Sequence, residues 1–244
     1  MGSIWLTRDH TDNLPLMDAL FQARLTPLAE PLIEMSYTST DLNPYFKPPQ
    51  RRAVIATSRY GLRGLILNLP TLTRATPVFC VGQATGQTAK DLKFKQVICA
   101  EGNVESLLEK IIALENQAPQ SYFYARGEDI AFPLAPTLQT HGIEVTEAVV
   151  YQALPRTQLT PPLEDKIKAG RIDRVVIYSK RTAQIFLQLM AEHGLMDCAP
   201  SLHVITISPQ IAMCFENTPF KKVLCAQGPD VDHVMETILH KVQD

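Results

Sequence analysis

The stretch PVFCVGQATGQTAKDLKFKQVICAEGNVESLLEKII, residues 77–112, recurs in altered form as LHVITISPQIAMCFENTPFKKVLCAQGPDVDHVMETIL, residues 202–239. The two stretches share seven identical residues, and the two members of each identical pair are 126 positions apart, as Phe94 and Phe220 are, with no gap in the alignment. They match Phe94, Lys95, Val97, Cys99, Ala100, Gly102 and Ile112 with Phe220, Lys221, Val223, Cys225, Ala226, Gly228 and Ile238. A long match at one fixed distance predicts a duplicated structural unit.

Two shorter matches extend the duplication towards the amino terminus of each copy. AVIATSRYGLRGLI, from Ala53, aligns with VVIYSKRTAQIFLQ, from Val175, and SIWLTR, from Ser3, aligns with SYFYAR, from Ser121. These alignments place Ser58 opposite Ser179 and Arg8 opposite Arg126. Because the three blocks occur in the same order in both halves, the 244 residues contain two copies of a unit of about 120 residues.

Each copy alternates short apolar runs with helical patterns. The runs are near-continuously hydrophobic and bounded by polar residues, as in strands buried in a parallel sheet: IWLT, AVIAT and PVFCVG, then YFYA, RVVIYS and HVITIS. Helices are predicted at 12–24, 61–69, 86–93, 104–114, 131–140, 181–193, 209–217 and 230–242. Strand–helix alternation of this kind predicts an α/β fold with mainly parallel sheets.

Two long segments depart from the alternation. LTPLAEPLIEMSYT, residues 25–38, and IEVTEAVVYQALP, residues 143–155, each follow the first helix of a copy, and Pro27 and Pro31 exclude a helix in the first of them. We expect these segments to be extended and to pair as a ladder between two lobes. FKPPQRR, residues 46–52, and LPRTQLTPP, residues 154–162, are predicted to be connections.

Polar residues and cations follow the predicted strands, where helix N-termini of α/β proteins bind anions. They are Arg8; Thr57, Ser58, Arg59 and Tyr60; Gly82, Gln83, Ala84 and Thr85; Arg126 and Gly127; Ser179, Lys180, Arg181 and Thr182; and Ser208, Pro209 and Gln210. Two lobes facing each other would form a donor-lined cleft for a polyanionic ligand. The alternative for the serines and threonines is that they serve only as helix N-caps.

Tyr151 lies in the second extended segment, within VVYQAL, near the connection between the predicted lobes. A phenol with a pKa near 10 can donate a proton or a hydrogen bond to a departing hydroxyl group. Tyr151 is therefore a candidate proton donor; the alternative is that its ring only packs on the ladder.

Composition argues against several other classes of protein. With 23 basic and 25 acidic residues the net charge is −2, without the basic excess of a nucleic-acid binder. The five cysteines contain no CxxC pair and indicate reduced thiols, and the six scattered histidines give no metal-ligand spacing. VGQATGQTA is neither GxGxxG nor GxxxxGK[ST]. The start, MGSIWLTRDH, lacks the pattern of a secretory signal, and no apolar run is long enough to span a membrane, so we expect a cytoplasmic protein.

Taken together, the segments resemble the uroporphyrinogen-III synthase family over nearly the whole chain. The segments that carry the resemblance are WLTR, the extended segment 25–38, ATS, VGQATGQTA, EGNVESLL, YARGED, VVYQAL and YSKRTA. The resemblance implies two flavodoxin-like lobes joined by a two-stranded ladder of about residues 26–38 and 143–155. One lobe would comprise 1–36 plus 156–244, and the other 37–150.

The resemblance also implies the reaction. Members of the family convert hydroxymethylbilane to uroporphyrinogen III without a cofactor: the terminal hydroxyl leaves as water, and ring D is inverted through a spiro intermediate before the ring closes. It implies that Tyr151 assists the departure of the hydroxyl. The family's binding positions match Ser58, Arg59, Gly82, Thr85, Ser179 and the turn at Ser208. From their places after predicted strands we expect further substrate contacts from Arg8, Thr57, Gln83, Arg126, Gly127, Lys180, Arg181 and Gln210. We expect a monomer, with hydroxymethylbilane synthase as the upstream donor of its substrate.

One turn departs from the family pattern. The second-lobe turn usually reads Gly-Pro-Thr-Thr, and here it reads Ser208-Pro209-Gln210-Ile211, so a hydroxyl is replaced by an apolar side chain. Two other hypotheses therefore stay open at the level of sequence: a non-catalytic, tetrapyrrole- or anion-binding relative, and a two-lobed binding protein for another small anion.

Overall fold

Strands and helices alternate along the chain in the computed structural model, which describes residues 2–47, 52–114 and 121–240. The contacts divide the chain into two units. The first combines Met1–Glu34 with Leu154–Asp244, and the second is Met35–Ala153. The chain passes from one unit to the other twice, after Glu34 and after Ala153.

The first unit is a five-stranded parallel sheet with helices on both faces. In chain order it contains β1 (Ser3–Leu6), α1 (His10–Gln22), β2 (Pro27–Ala29), α6 (Pro161–Lys168), β9 (Ile172–Ile177), α7 (Lys180–Glu192), β10 (His203–Thr206), α8 (Pro209–Ala212), β11 (Lys222–Cys225) and α9 (Val231–His240). The strand order is β11-β10-β9-β1-β2, and all four pairings are parallel. Successive residues of β1 point to opposite faces of the sheet. Trp5 packs with Phe186 in the core on one face, whereas Ile4 and Leu6 belong to the core on the other face.

The second unit repeats this strand order. It contains β3 (Ile33–Tyr37), β4 (Arg52–Ala56), α2 (Arg59–Asn68), β5 (Val78–Val81), α3 (Gly82–Asp91), β6 (Val97–Ala100), α4 (Val104–Ala113), β7 (Ser121–Gly127), α5 (Leu134–Thr140) and β8 (Glu144–Pro155). The order is β3-β8-β7-β4-β5-β6, with β4 to β8 joined by parallel pairings. Strands β6-β5-β4-β7-β8 thus correspond to β11-β10-β9-β1-β2, so the predicted duplicated, mainly parallel α/β fold is confirmed.

The extended segment predicted over residues 25–38 is two strands that belong to different sheets. Strand β2 pairs with β1, whereas β3 pairs with β8. The break falls at Glu30–Leu32, where the backbone carbonyl of Glu30 accepts a hydrogen bond of 2.8 Å from the indole Nε1 of Trp5. Strand β3 runs antiparallel to β8, since Thr38 donates to Val150 while Arg156 donates to Leu32. Only the β3 part of the segment therefore forms the ladder.

Several other boundaries differ from expectation. Helix α6 occupies Pro161–Lys168, a segment that includes the end of a predicted connection; Pro161 and Pro162 stand in its first turn, where no backbone donor is lost. The predicted helix 209–217 is only α8 followed by a 3-10 turn, Met213–Phe215. The large Phe215 occupies the place of Ala89 in the other copy and packs on Phe186 and Phe220. Residues 48–51 of the predicted connection and residues 241–242 of the last helix lie outside the described residues.

The chain leaves the first unit beside a cluster of charges. The guanidinium of Arg156 lies 3.5 Å from a carboxylate oxygen of Glu30 and 2.7 Å from one of Glu34. The other carboxylate oxygen of Glu30 accepts a hydrogen bond of 3.2 Å from the hydroxyl of Thr160. Arg156, the residue after β8, therefore connects the end of that strand to Glu30, which precedes β3, and to Glu34 within β3.

Asn68, the last residue of α2, fastens the segment that follows β3. Its amide nitrogen donates to the carbonyls of Thr38 (2.9 Å) and Gly64 (2.8 Å), and its oxygen accepts from the backbone amide of Thr40 (2.8 Å). We expect Asn68→Ala to lower the free energy of unfolding by about 2–3 kcal/mol, at roughly 1 kcal/mol per lost bond, measured by urea denaturation. The exposed Gln87→Ala should change it by less than about 0.5 kcal/mol, and an equal effect of both changes would contradict the assignment.

Candidate active site

The polar turns of the second unit lie at the carboxyl edge of its sheet. Ser58 follows β4, and its hydroxyl oxygen accepts a hydrogen bond of 3.1 Å from the backbone amide of Tyr60, which caps α2. The capping alternative therefore applies to this side chain, although the hydroxyl proton of a capping serine can still be donated to a ligand. Thr57 bonds through its hydroxyl to the phenol of Tyr124 over 3.0 Å. Burial raises the pKa of Tyr124 above its ordinary value.

Tyr151 lies at the same edge, opposite Gly127 in the pairing of β7 with β8. The ring rests directly on Gly127: a Cβ added there would lie 2.7 Å from the Tyr151 Cζ and 2.9 Å from its hydroxyl oxygen. The ring of Tyr60 packs beside it, with centroids 5.8 Å apart. Tyr151 is half-buried, and within the described part of the chain no side chain hydrogen-bonds to its hydroxyl. The phenol is thus held by its ring while the hydroxyl can bond to a ligand.

Two arginines contact the residues on which the Tyr151 ring packs, Arg59 at Tyr60 and Arg126 at Gly127. Arg59 lies 5.0 Å from the centre of the Tyr60 ring and donates to the Tyr60 hydroxyl over 3.1 Å. Arg126 pairs with Glu147 at 2.9 Å and donates to the carbonyl oxygens of Gly127 (2.8 Å) and Glu128 (3.2 Å). Arg126 therefore braces the end of β7, where the register shifts just before Gly127.

The turn after β5 leads directly into α3. Gly82 has a φ of 74°, a conformation that favours glycine, and a Cβ there would meet nothing within 4 Å. No side chain of the described residues caps α3, whereas Ser58 caps α2. The backbone amides in the first turn of α3 therefore have no side-chain acceptor at the carboxyl edge of the sheet. Gln83 is exposed, whereas Thr85 is buried. This turn offers backbone donors to an anion.

In the first unit, Arg8 follows β1 at the carboxyl edge. Its guanidinium lies over the ring of Tyr178, 4.5 Å from the centroid, and 3.9 Å from the carboxylate of Asp12. Burial raises the pKa of Tyr178, although the neighbouring Arg8 opposes that rise. Arg8 remains exposed and can meet a ligand anion on its solvent side.

Ser179 repeats the role of Ser58 in the first unit. Its hydroxyl accepts from the backbone amide of Thr182 at 3.0 Å and caps α7, and Lys180 and Arg181 are exposed in the first turn of that helix. Two cations thus stand beside a helix N-terminus, an arrangement that favours negative ligands.

The turn at Ser208 differs from its counterpart at Gly82. Ser208 precedes α8, which has four residues, and its side chain makes no capping bond within the described part of the chain. Ile211, at the position of Thr85, is buried in the core of the first unit, and Gln210 is exposed. The apolar residue at 211 is therefore a packing residue, and the polar groups left at this turn are those of Ser208 and Gln210.

Sequence reasoning did not single out Tyr178 or Glu147, although both contact predicted site residues. Tyr178 immediately precedes Ser179, where the other copy has Thr57, so the duplication carried a signal for it. Glu147 could be found only from the register of β7 with β8, which pairs it with Tyr124.

The comparisons with known proteins agree with one another. The family described as uroporphyrinogen-III synthase HemD matches residues 16–236. A solved uroporphyrinogen-III synthetase from Helicobacter pylori shares the fold with a TM-score of 0.63 at 21% identity, over 98% of this chain and 99% of that chain. A mutant uroporphyrinogen III synthase from Thermus thermophilus gives 0.50 at 13% identity, over 98% of each chain. No curated protein matches the sequence significantly.

Two α/β units of one strand order, each with polar turns at the carboxyl edge of a parallel sheet, define a duplicated α/β protein. Because the family match spans nearly the whole sequence, the chain belongs to the uroporphyrinogen-III synthase family. It is accordingly a cyclising lyase of haem biosynthesis that converts hydroxymethylbilane to uroporphyrinogen III, and nothing in the comparisons favours a non-catalytic relative. Among the helices of the described residues, none is long and apolar enough to cross a membrane.

Proposed function

We propose that Tyr151 assists the loss of the terminal hydroxyl of hydroxymethylbilane in this synthase. A hydroxyl leaves readily only when it is protonated or receives a hydrogen bond, and a phenol can supply either. The observation that carries the assignment is the seating of the Tyr151 ring on Gly127 and against Tyr60, which fixes its hydroxyl at the carboxyl edge of the sheet.

The substrate's carboxylates are bound at the carboxyl edges of both sheets. In the second unit the donors are the amides of the first turn of α3, from Gly82 and Gln83, together with Arg59 and the hydroxyls of Thr57 and Ser58. Thr85 is assigned to shaping that turn, since it is buried. In the first unit they are Arg8, Ser179, Lys180, Arg181, Ser208 and Gln210. The donor-rich, carboxylate-poor character of these turns supports the proposal.

Gly127 and Arg126 act on the substrate through Tyr151. Gly127 leaves the space that the Tyr151 ring occupies. The guanidinium of Arg126 donates hydrogen bonds to the backbone carbonyls of Gly127 and Glu128 and so fixes the backbone beneath that ring. We assign both as positioning residues, because the guanidinium of Arg126 is already bonded to Glu147 and to the backbone.

The main task of the site is to orient the substrate. The linear tetrapyrrole closes without inversion when unassisted, so the enzyme must hold ring D where its substituted carbon reaches the electrophilic carbon first. Bound carboxylates restrict the chain to such conformations, and orientation of this kind can supply several kcal/mol of a barrier (roughly 7–11 in favourable cases). The proposed steps use only side chains and backbone amides, in a cytoplasmic monomer that receives its substrate from hydroxymethylbilane synthase.

A coupled assay tests the proposal. Hydroxymethylbilane is generated in the presence of this protein, the product is oxidised, and isomers I and III are separated. We expect isomer III to predominate in proportion to the enzyme added. Isomer I alone, at any enzyme concentration, would exclude the synthase activity.

The cations at the two edges should act through charge. We expect Arg59→Ala and Lys180→Ala each to raise KM about 3- to 10-fold at low ionic strength, with kcat changed less, because each removes a group that meets a carboxylate. The ratio to wild type should shrink as salt is raised towards about 0.5 M, since exposed charges are screened. Lys168→Ala, which removes an exposed cation paired with Glu164 on α6, is the matched control and should keep the wild-type KM. A KM equal to that of wild type at every salt concentration in both Arg59→Ala and Lys180→Ala would contradict the assignment.

A further inference from the structure

Two cysteines of the second unit face each other on neighbouring strands. Cys80 on β5 is opposite Cys99 on β6 in the parallel register, and their sulfur atoms are 3.3 Å apart. Both are free thiols. Adjacent strands are spaced about 4.7–4.9 Å, within the roughly 4.4–6.8 Å that a disulfide requires between Cα atoms. The sulfur atoms must approach by a little over 1 Å to bond at about 2.05 Å, which rotation about χ1 can provide.

The surroundings give the two thiols different roles. Cys80 is fully buried, and burial raises the pKa of its thiol to about 12, so the thiol holds its proton. Cys99 is half-buried on the edge strand of the sheet, and its backbone carbonyl accepts a bond of 2.7 Å from the ammonium of Lys110. Of the two cysteines, Cys99 is therefore the one that is partly exposed to solvent.

Helix α3 packs directly on the pair through a glycine. Gly86 lies over Cys99, and a Cβ at this position would collide with the Cys99 sulfur and stand 3.6 Å from that of Cys80. The missing side chain of Gly86 therefore gives the Cys99 sulfur its place beside the sulfur of Cys80.

The other copy of the duplicated unit lacks the second thiol. Thr206 and Cys225 occupy the corresponding cross-strand position in β10 and β11. The hydroxyl of Thr206 bonds to the carbonyl of Leu224, much as the thiol of Cys80 contacts that of Ile98. The fold therefore accommodates a buried polar atom at the position of Cys80 even when no thiol faces it. The pair of facing cysteines occurs in β5 and β6 and not in the corresponding strands β10 and β11.

We propose that Cys80 and Cys99 are a site of reversible disulfide formation by exchange with a low-molecular-weight disulfide of the glutathione class. The thiolate of Cys99 attacks one sulfur of the reagent, forms a mixed disulfide and releases one small thiol. The sulfur of Cys80, after loss of its proton to water, attacks the Cys99 sulfur and displaces the second small thiol. Two protein thiols are oxidised to one disulfide, and one small disulfide is reduced to two thiols.

The test uses the full chain incubated with oxidised glutathione, followed by alkylation, trypsin digestion and mass spectrometry. Cleavage at Arg74, Lys90, Lys95 and Lys110 separates the Cys80 and Cys99 peptides. We expect the two peptides joined and lighter by two hydrogens, and separated again by dithiothreitol. In Cys80→Ala the glutathione adduct should instead accumulate on Cys99, at least about tenfold above its level in wild type, because no second thiol displaces it.

Cys225 serves as the internal control, because the hydroxyl of Thr206 cannot displace a mixed disulfide. An adduct formed there should persist. A wild-type Cys99 that stays unmodified, or that retains its glutathione adduct as stably as Cys225 does, would overturn the proposal. Wild-type mapping gives this answer even if Cys80→Ala fails to fold.

Discussion

Tyr151→Phe should lower kcat for uroporphyrinogen III formation by about 10²-fold, with KM within about twofold of wild type. General acid assistance contributes roughly 10²–10⁴-fold to reactions of this type, and the substitution removes only the hydroxyl while the ring keeps its contacts with Tyr60 and Gly127. Initial rates of isomer III formation measure the change, and the share of isomer I should rise as released substrate closes without the enzyme.

Tyr37→Phe is the matched control. Tyr37 is an exposed tyrosine on β3, the strand that pairs with β8 in the ladder. The control substitution therefore removes a phenol hydroxyl from the same pair of strands but from a residue that is not assigned to the site. Its kinetics should equal those of wild type. If Tyr151→Phe also retained wild-type turnover, Tyr151 would have only a packing role and the proton would have to come from elsewhere.

Gly127→Ala should reduce kcat to a similar extent, about 10²-fold, although it removes no functional group. The new methyl group would lie 2.7 Å from the Tyr151 Cζ, too close for van der Waals contact, so the ring must move. Displacement of a catalytic group by about 1 Å can cost a factor of this size. The measurement is kcat together with the thermal midpoint, because a folded variant is needed to interpret the loss.

A double variant distinguishes displacement of Tyr151 from other effects of the methyl group. If Gly127→Ala acts through the Tyr151 hydroxyl, adding it to Tyr151→Phe should lower kcat by less than about threefold more, since the group being displaced is already absent. Full multiplication of the two effects would instead mean that the methyl group blocks the substrate directly.

The duplication made much of the fold predictable. Two aligned copies identified equivalent strands and placed Ser58 opposite Ser179, and both serines do cap the helix that follows a central strand. The sequence could not show that residues 25–38 divide between two sheets, because the break is stabilised by Trp5, more than twenty residues away along the chain. Strands β6 and β11 were not predicted as strands because each has only four residues at a sheet edge, nearly all of them half-buried, and so carries little periodicity.

The site was predictable by position and less so by role. The strand-end rule located Arg126 and Arg59 equally well, but the register that brings Glu147 to Arg126 is a property of paired strands. The sequence marks Gly127 only as a turn residue, and it is the fold that places a tyrosine ring in the space of its missing side chain. Ile211 was noted as a lost hydroxyl, whereas its burial shows a residue selected for packing.

The route of the chain through the first unit has a consequence for its synthesis on the ribosome. Strand β1 needs β9 as a neighbour, and more than 160 residues separate Leu6 from Ile172. At roughly 5–20 residues per second, translation leaves the nascent β1–α1–β2 segment without its partner strand for on the order of ten seconds. The second unit occupies one continuous stretch and is fully translated during that interval. Nascent chains should therefore gain protease resistance in residues 35–153 before residues 1–34, in the reverse of their order of emergence.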